Sequence, residues 1–421
     1  MISSLSEKDE LTPDNIRELS KYIKERNKGK FSFENLDKTG KPLKEWENVK
    51  ALIEHHGIYV MFNEVSKEIE FRGLNGNRVD DCIVDIHSLC LKNELDIPLN
   101  TLGSFINRIS SSNIYNPVTE FLDEAYSSWS GEKGKIDKVF GALELDPDYD
   151  RFFALKLFKR WLVSAVRIAF NDGKQNNEGV LILHGPQGLG KTTWIKSLIP
   201  DLLHSYFKDG VSLDTNDKDS VFKTINKWIV ELGEIDGTLK KDQASLKAFF
   251  TAQSDEQRRP YDKSMSKYPR RTVFFGTVNK DEFLKDETGD RRYWILPVTK
   301  IKRNFITQEE LKDFWGEVMH MWKSNEEIHY LDTLELEILY RYNERFRVKS
   351  ALDINIENGF AWNEPETTWT WKKSSEIIAK IKVPNKGIKA QLINCGAQYR
   401  RKKTGVEYFT PPYRYDFEML R

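Results

Sequence analysis

A glycine-rich loop between an apolar run and a helical stretch constrains this chain more than any other feature. The apolar run VLIL occupies residues 180–183, the sequence GPQGLGKT follows at 185–192, and TTWIKSLIP then has helical character. Glycines let backbone N–H groups close around a phosphate, a lysine reaches the β- and γ-phosphates, and a threonine hydroxyl binds Mg²⁺. The pattern predicts a strand–loop–helix site for ATP and Mg²⁺, with the contact residues Gly185, Pro186, Gln187, Gly188, Leu189, Gly190, Lys191, Thr192 and Thr193.

Two acidic residues end the next apolar run, WIVELGE at 228–234. A site of this kind needs a carboxylate at the end of a neighbouring parallel strand, where it holds Mg²⁺ or polarises the attacking water. Side chains three apart on a strand point to opposite faces, so Glu231 and Glu234 both face the nucleotide only if the chain turns at Gly233. We expect Glu234 to be the principal catalytic and metal-binding acid, and Glu231 to be a metal ligand or a supporting group.

A third apolar run, RTVFFGTVN at 271–279, ends in Asn279, whose amide could bind the attacking water or the γ-phosphate. Further on, TGDRRYW places Arg291 and Arg292 beside a glycine turn. Either guanidinium group could act on the γ-phosphate of a neighbouring subunit. A surface ion pair between Asp290 and Arg291 is the alternative.

A basic loop, RRPYDKSMSKYPRR, occupies residues 258–271 and contains six basic residues, two tyrosines and two prolines. Cations interleaved with aromatic rings suit a single strand of DNA, whose phosphates pair with Lys and Arg while its bases stack. We predict a projecting hairpin that contacts DNA through Arg259, Tyr261, Lys263 and Lys267. A solvated loop without a ligand is the alternative.

The sequence predicts an α/β fold in five segments. Residues 1–115 mix helical and strand patterns, 116–170 are helical and suit a collar or oligomerisation segment, and 171–300 alternate apolar runs with helical stretches. Such alternation is typical of a parallel sheet with crossover helices. Residues 301–365 form a helical connector, and 366–421 combine two helices with a hairpin, which is a winged-helix pattern.

The net charge of zero conceals a basic C-terminus, because residues 371–421 carry 12 Lys and Arg against 4 Asp and Glu. An excess of this size is what a phosphate-backbone partner requires. We expect the helix at 385–394 to enter a major groove and the wing to contact phosphates. The candidate DNA-binding residues are Lys386, Lys389, Arg400, Arg401, Lys402 and Lys403. A packing module without DNA contact is the alternative.

Composition favours a cytoplasmic protein without a membrane partner, since no apolar stretch approaches the roughly 18 residues of a membrane span. Cys82, Cys90 and Cys395 lack metal-site or redox spacing, and we expect them to be reduced.

The order of these motifs resembles the ATPase domain of the virulence-associated E family. The segments that carry the likeness, over about 120–300 and more weakly over 35–75, are GPQGLGKTT, WIVELGEID, LKAFF, the basic loop and DETGDRRYW. Members are helicase-like replication proteins of phages and bacterial genomic islands, related to superfamily 3 helicases and to phage primase-helicases. The resemblance implies an AAA+-like core with Lys191 and Thr192 on Walker A, Glu234 with Glu231 on Walker B, Asn279 on sensor 1, Arg291 or Arg292 as arginine finger, and Lys263 and Lys267 in a DNA-translocating hairpin.

The residues and the resemblance together predict an ATP-dependent DNA helicase that initiates replication of a mobile genetic element. It would form a ring, usually hexameric in this family, on single- and double-stranded origin DNA, with a separate primase or host replication proteins as further candidate partners. We expect no primase activity in this chain, because the acidic cluster Asp80, Asp81 and Asp85 near His87 lacks a metal-site pattern. Two alternatives stay open: a regulatory or packaging ATPase that is not a helicase, and a DNA-binding regulator with a vestigial nucleotide site.

Overall fold

The computed structural model describes residues 31–75, 78–233, 243–257, 265–284, 290–403 and 405–414. The chain divides into two units, one comprising residues up to 279 together with 291–339, the other 280–290 together with 340–421. Within the described ranges, no helix combines the length and the apolar character needed to cross a membrane.

The first unit begins with a small α/β module whose three-stranded sheet has the order β2-β1-β3. Its elements are α1 (Trp46–His55), β1 (Tyr59–Asn63), β2 (Glu68–Arg72), α2 (Val79–Lys92), α3 (Leu99–Ser110) and β3 (Ile114–Tyr115). The three helices and one face of the sheet enclose a core of aliphatic side chains that includes Leu52, Val60, Ile86 and Ile106. The mixed helical and strand patterns predicted for residues 1–115 are present here, with β1 and β2 paired as a hairpin.

The remainder of the first unit is built on a six-stranded sheet of order β4-β11-β5-β10-β7-β6. Five strands are parallel, and only β4 runs antiparallel to its neighbour β11. The strands are β4 (Leu143–Leu145), β5 (Val180–His184), β6 (Phe207–Val211), β7 (Ile229–Leu232), β10 (Val273–Val278) and β11 (Tyr293–Ile301). β5, β7 and β10 are almost wholly buried, which explains why each reads as a continuous apolar run.

Helices cover this sheet, as expected for parallel strands joined by crossovers. They are α4 (Pro117–Ser128), α5 (Lys135–Phe140), α6 (Arg151–Ala169), α7 (Lys191–Lys196), α8 (Lys218–Ile225), α9 (Gln243–Phe250), α10 (Glu310–Lys323) and α11 (Thr333–Asn343). Helix α6 starts at Asp150, whose carboxylate accepts from the N–H groups of Phe152 and Phe153. It is tied to the sheet by Trp161, whose indole N–H donates to the Phe274 carbonyl at 2.8 Å.

The segment 116–170 differs from its helical prediction at one place, because β4 interrupts the helices there. The strand is three residues long, LEL, and lies at the sheet edge. A run this short carries no periodicity that distinguishes strand from helix. Its structure comes from pairing with β11, more than 140 residues away along the chain.

The second unit contains α12 (Ala351–Gly359), β12 (Thr370–Lys373), α13 (Ser374–Ile381), α14 (Ile388–Asn394), β13 (Gln398–Lys402) and β14 (Gly405–Thr410). The strands form an antiparallel sheet of order β12-β14-β13. The three helices pack on one face of it around Ile356, Ile377, Leu392 and Tyr408. The two helices and the hairpin that the sequence predicts within 366–421 are present as α13, α14 and the β13–β14 pair, and α14 begins at Ile388, three residues after its predicted start.

Candidate nucleotide site

The glycine-rich loop leaves the carboxyl end of β5, which lies in the middle of the parallel strands. Gly185 N donates to the Val278 carbonyl at 3.0 Å, and a Cβ at position 185 would lie 2.1 Å from the Val298 carbonyl oxygen. Only glycine therefore fits between β10 and β11 at the start of the loop. Gly190, at φ +85°, takes up the left-handed conformation from which α7 begins. The loop thus sits at a carboxyl edge of a parallel sheet, where α/β proteins bind their ligands.

Lys191 is buried at the mouth of this loop, with 6% of its surface exposed. Its ammonium group donates to the carbonyl oxygens of Gly185 and Pro186 at 2.6 and 2.8 Å and to Asn279 Oδ1 at 2.7 Å. Burial lowers the pKa of Lys191, and the negative charge of Glu231 opposes that shift. Three oxygens without a full charge hold the ammonium group of Lys191. An anionic phosphate would bind this group more strongly and can displace them.

Thr192 and Glu231 come together on the other side of the loop. The Thr192 hydroxyl donates to Glu231 Oε1 at 2.7 Å, and Thr277 Oγ1 donates to the same oxygen at 2.9 Å. Glu231 is 5% exposed, and its second oxygen accepts from Gly210 N at 3.3 Å. Hydroxyl and carboxylate oxygens are the donors that Mg²⁺ prefers. In the described ranges no group of three or more His, Cys, Asp and Glu is placed to hold a metal ion.

The register of the sheet explains this convergence. β10 lies between β5 and β7, with Thr277 opposite Leu183 and Phe275 opposite Glu231. Alternation on β10 directs Phe275, Thr277 and Asn279 to one face of the sheet, the face on which Glu231 lies. Asn279 is a predicted site residue, whereas Thr277 is not, although its two-residue spacing from Asn279 indicates the same face of the strand. Glu234, the preferred acid, lies outside the described residues, and Glu231 is the acid that the structure places beside Thr192.

Arg291 and Arg292 lie at the opposite edge of the sheet from the loop. Tyr293, the residue after them, pairs with Val180 at the start of β5, whereas the loop follows His184 at its end. Four strand residues separate the two edges by about 13 Å. Arg291 is exposed and Arg292 is half-buried. The structure does not bring either guanidinium group to the loop of its own chain.

The basic segment after β7 forms a hairpin, as predicted, from β8 (Ser254–Gln257) and β9 (Ser266–Pro269). Lys267 is exposed on β9, whereas Arg259, Tyr261 and Lys263 lie outside the described residues. Arg270 and Arg271, counted with the basic loop on sequence, are buried.

Both buried arginines have partners within the first unit. Arg270 Nε donates to Asp255 Oδ2 at 2.9 Å, and Arg271 pairs with Glu64 at 2.8 Å. These two guanidinium groups therefore fix the base of the hairpin.

In the second unit the predicted basic residues divide between the two faces of the sheet β12-β14-β13. Arg400 and Lys402 lie on one face, where Glu407 binds both of them at 2.7–2.9 Å. Arg401 points to the other face, the one on which α14 packs. Lys386, Arg401 and Lys403 are exposed, and Lys389 lies over the Tyr399 ring at 3.8 Å from its centroid.

Comparison with solved structures gives modest likenesses over most of the chain. The apo structure of the NrS-1 C-terminal region has 13% sequence identity and a TM-score of 0.49, covering 88% of this chain and 100% of that one. An A-form apo structure of the same region has 14% identity and a TM-score of 0.46 with the same coverage. No curated protein matches the chain.

The family comparison is specific. The virulence-associated protein E-like domain matches residues 128–348, which are more than half of the chain and include the glycine-rich loop, Glu231, Asn279 and both candidate arginines. The chain belongs to the virulence-associated protein E-like family.

Proposed function

We propose that the chain is a P-loop ATPase with an AAA+-like core that hydrolyses MgATP at the loop 185–193. The observation that carries the proposal is the convergence of four residues from three parts of the chain at one edge of the parallel sheet: Lys191 and Thr192 on α7, Glu231 on β7 and Asn279 after β10. Each is a residue type that phosphoryl transfer requires: a cation, a hydroxyl and a carboxylate for metal, and an amide for water or phosphate. The family membership supports the same reading.

In this proposal each residue of the nucleotide site has its own role. The loop N–H groups and Lys191 bind the phosphates, with the ammonium group exchanging its carbonyl contacts for phosphate oxygens. Thr192 and Glu231 would hold Mg²⁺, which when bound neutralises charge on the β- and γ-phosphates. Asn279, at the end of β10, orients water or the γ-phosphate. Glu234 follows the same strand as Glu231 and would serve as the base toward that water.

The position of Arg291 supports a site completed by a second copy of the chain. It is exposed and lies at the sheet edge away from its own loop, so it can reach a γ-phosphate only on a neighbour. A ring of subunits, each offering its loop at one edge and its arginine at the other, satisfies this geometry. We propose such a ring, hexameric by family resemblance.

The hairpin and the C-terminal unit support a DNA substrate. Lys267 is exposed on a hairpin whose base is anchored to the first unit by buried arginines, so movement of the core would move this base with it. The three helices and the three-stranded sheet of the second unit support a winged-helix fold, which we propose, with exposed Lys386 and Arg401 on its helical side. We propose that the protein unwinds DNA at the replication origin of a mobile element.

The test compares ATP hydrolysis by the wild type, Lys191→Ala and Lys196→Ala. Lys196 lies on the same helix but is exposed, so its variant controls for changes to α7. We expect hydrolysis to be lost only in Lys191→Ala. Equal turnover by all three proteins would refute the site. A second assay, strand displacement on forked DNA, separates a helicase from a DNA-associated ATPase that does not unwind.

A further inference from the structure

The sheet β12-β14-β13 of the second unit has an aromatic face that the proposed duplex contact does not use. Tyr408 on β14 belongs to the core beneath the helices, so the neighbouring Phe409 points to the opposite face. On that opposite face Phe409 lies against Trp371 and Trp369, with ring centroids 5.3 and 5.8 Å away. Trp371 is 37% exposed, which leaves a large aromatic surface open to solvent.

Arg400 extends this aromatic row at the sheet edge. Its guanidinium carbon lies 3.9 Å from the centroid of the Trp371 ring, and its Nε and Nη2 atoms both reach Glu407 Oε2, at 2.8 and 2.7 Å. The guanidinium plane is therefore fixed by one stacking partner and one carboxylate. Its side chain is still 40% exposed. A fixed guanidinium plane and an exposed indole are the two surfaces on which proteins stack unpaired bases.

The charge around the row suits a phosphate backbone. Lys402 shares the face with Arg400, and Lys373 stands opposite Glu407 in the register. Both lysines are exposed. Three cations thus surround one carboxylate, within the segment 371–421 that carries 12 Lys and Arg against 4 Asp and Glu. These cations suit a phosphate backbone, and the aromatic row beside them adds a stacking surface for bases, which an acidic protein surface would leave unused.

We propose that the sheet face formed by Trp369, Trp371, Phe409 and Arg400 binds single-stranded DNA by base stacking. The face lies opposite α14 and Arg401, so the unit can hold duplex on its helical side and an unpaired strand on its sheet side. The inference deepens the proposed function by naming where the unit holds an unwound strand. It rests on the DNA role proposed above and not on ATP hydrolysis.

The experiment uses matched substitutions on the two sheet faces of the full chain. Trp371→Leu keeps an apolar side chain but removes the stacking surface, and Tyr399→Leu makes the same change on the face toward α14. Affinity is measured by fluorescence anisotropy with dye-labelled oligo(dT) of about 15 nucleotides and with a duplex. We expect Trp371→Leu to weaken oligo(dT) binding about tenfold and to leave duplex binding unchanged. Tyr399→Leu should affect mainly the duplex.

A photochemical readout identifies the site directly, because the hairpin in the first unit also offers cations to a single strand. Oligo(dT) containing 5-iodouracil is irradiated with the protein, and cross-linked peptides are identified by mass spectrometry. We expect cross-links at residues 369–373, present in Lys191→Ala and lost in Trp371→Leu. Their survival in Lys191→Ala separates this site from the ATPase site.

Three outcomes would overturn the proposal. The first is that cross-links form only on the α14 side or outside the second unit. The second is that RNA of the same sequence binds in preference to DNA. The third is that Trp371→Leu changes the sedimentation mass of the protein and not its affinity for oligo(dT), which would assign the face to a contact between subunits.

Discussion

The hydroxyl of Thr192 donates to Glu231 Oε1 at 2.7 Å, which joins the first turn of α7 to the buried strand β7. The same oxygen accepts from Thr277 on β10, so one carboxylate connects three elements at the edge of the sheet. A buried carboxylate is retained where its hydrogen bonds are satisfied. Glu231 meets that condition while keeping one oxygen beside the hydroxyl that would bind Mg²⁺. We therefore propose Thr192 and Glu231 as the Mg²⁺ ligands.

Glu231→Gln should bind nucleotide but hydrolyse it at least about 100-fold more slowly, because a lost metal ligand removes several kcal/mol of charge stabilisation. The Mg²⁺ concentration that gives half-maximal rate should also rise. The measurement is steady-state ATP hydrolysis over a Mg²⁺ titration, with nucleotide binding followed separately. Thr277→Val, which removes one hydrogen bond to Glu231, should have a much smaller effect. An unchanged Mg²⁺ dependence in Glu231→Gln would assign the metal to another carboxylate.

Glu234→Gln should lower the rate without changing the Mg²⁺ requirement, because we assign this residue to the water and not to the metal. The same titration measures this variant. A Mg²⁺ requirement that rises in Glu234→Gln and not in Glu231→Gln would exchange the two roles.

Arg291→Ala should lower the ATPase rate about 10³-fold or more, which is the effect expected for an arginine finger. In our proposal Arg291 is the group that a neighbouring subunit supplies to stabilise the charge developing on the γ-phosphate. Mixing Arg291→Ala with Lys191→Ala should restore activity. In a mixed ring, some subunit contacts bring the intact loop of an Arg291→Ala subunit against the intact Arg291 of a Lys191→Ala subunit. Mixtures that stay inactive, although sedimentation shows mixed assemblies, would rule out action in trans. Arg292→Ala serves as the matched comparison.

The sequence predicts the three site strands correctly, because β5, β7 and β10 are buried on both faces and read as apolar runs. It also indicates the loop, since its glycines have conformational requirements that are local. It does not predict which acid meets Thr192. That depends on where β7 ends and on its register against β10, which are properties of the assembled sheet.

The basic residues are harder to interpret from sequence. Arg270, Arg271 and Arg400 all lie in basic runs, yet each pairs with an acid that is distant or on another strand: Asp255, Glu64 and Glu407. A charge run on its own does not distinguish a residue that meets a ligand from one that meets a carboxylate of the same chain. In the first unit the partner of Arg271 is about 200 residues away, and no local pattern indicates it.

Glu335→Ala should lower the free energy of unfolding by about 3–5 kcal/mol, because it leaves the buried guanidinium group of Arg160 without its main partner. Arg160 is 4% exposed and also contacts Glu327 and the Tyr330 carbonyl. Urea unfolding measures the change. Glu337→Ala, an exposed position on the same helix, should have little effect. Similar losses in both variants would show that helix propensity, and not the ion pair, stabilises α11.

The ion pair between Arg160 and Glu335 also predicts that the protein loses stability at acid pH. Burial opposes ionisation of Glu335, but hydrogen bonds from Arg160, the Asp332 amide and Lys156 outweigh it and lower the pKa of Glu335 to about 2. A carboxyl whose pKa falls on folding contributes stability above its unfolded pKa, and that contribution is lost as pH falls from about 4.5 toward 2. Unfolding midpoints over that range should fall more steeply for the wild type than for Glu335→Gln. Parallel curves would contradict the assignment.

Lys67 predicts a second rise of stability with pH, in the alkaline range. It is 4% exposed where the N-terminal module meets the sheet of the first unit, and its ammonium group donates to the Ile225 carbonyl. Burial lowers the pKa of Lys67 to about 7, against partial compensation by Asp255. Between that value and the unfolded pKa near 10.5, the unfolded chain binds the extra proton, so stability rises with pH.

Lys67→Met should remove this rise, because methionine fills a similar volume and carries no titrating group. The wild type should gain about 2 kcal/mol relative to the variant between pH 7 and 9, measured by urea unfolding at both values. Other groups titrate in the same range and act equally on both proteins, so the difference between the two curves isolates Lys67. Equal slopes would show that Lys67 keeps its charge when buried, and that the carbonyl of Ile225 with the nearby carboxylates solvates it fully.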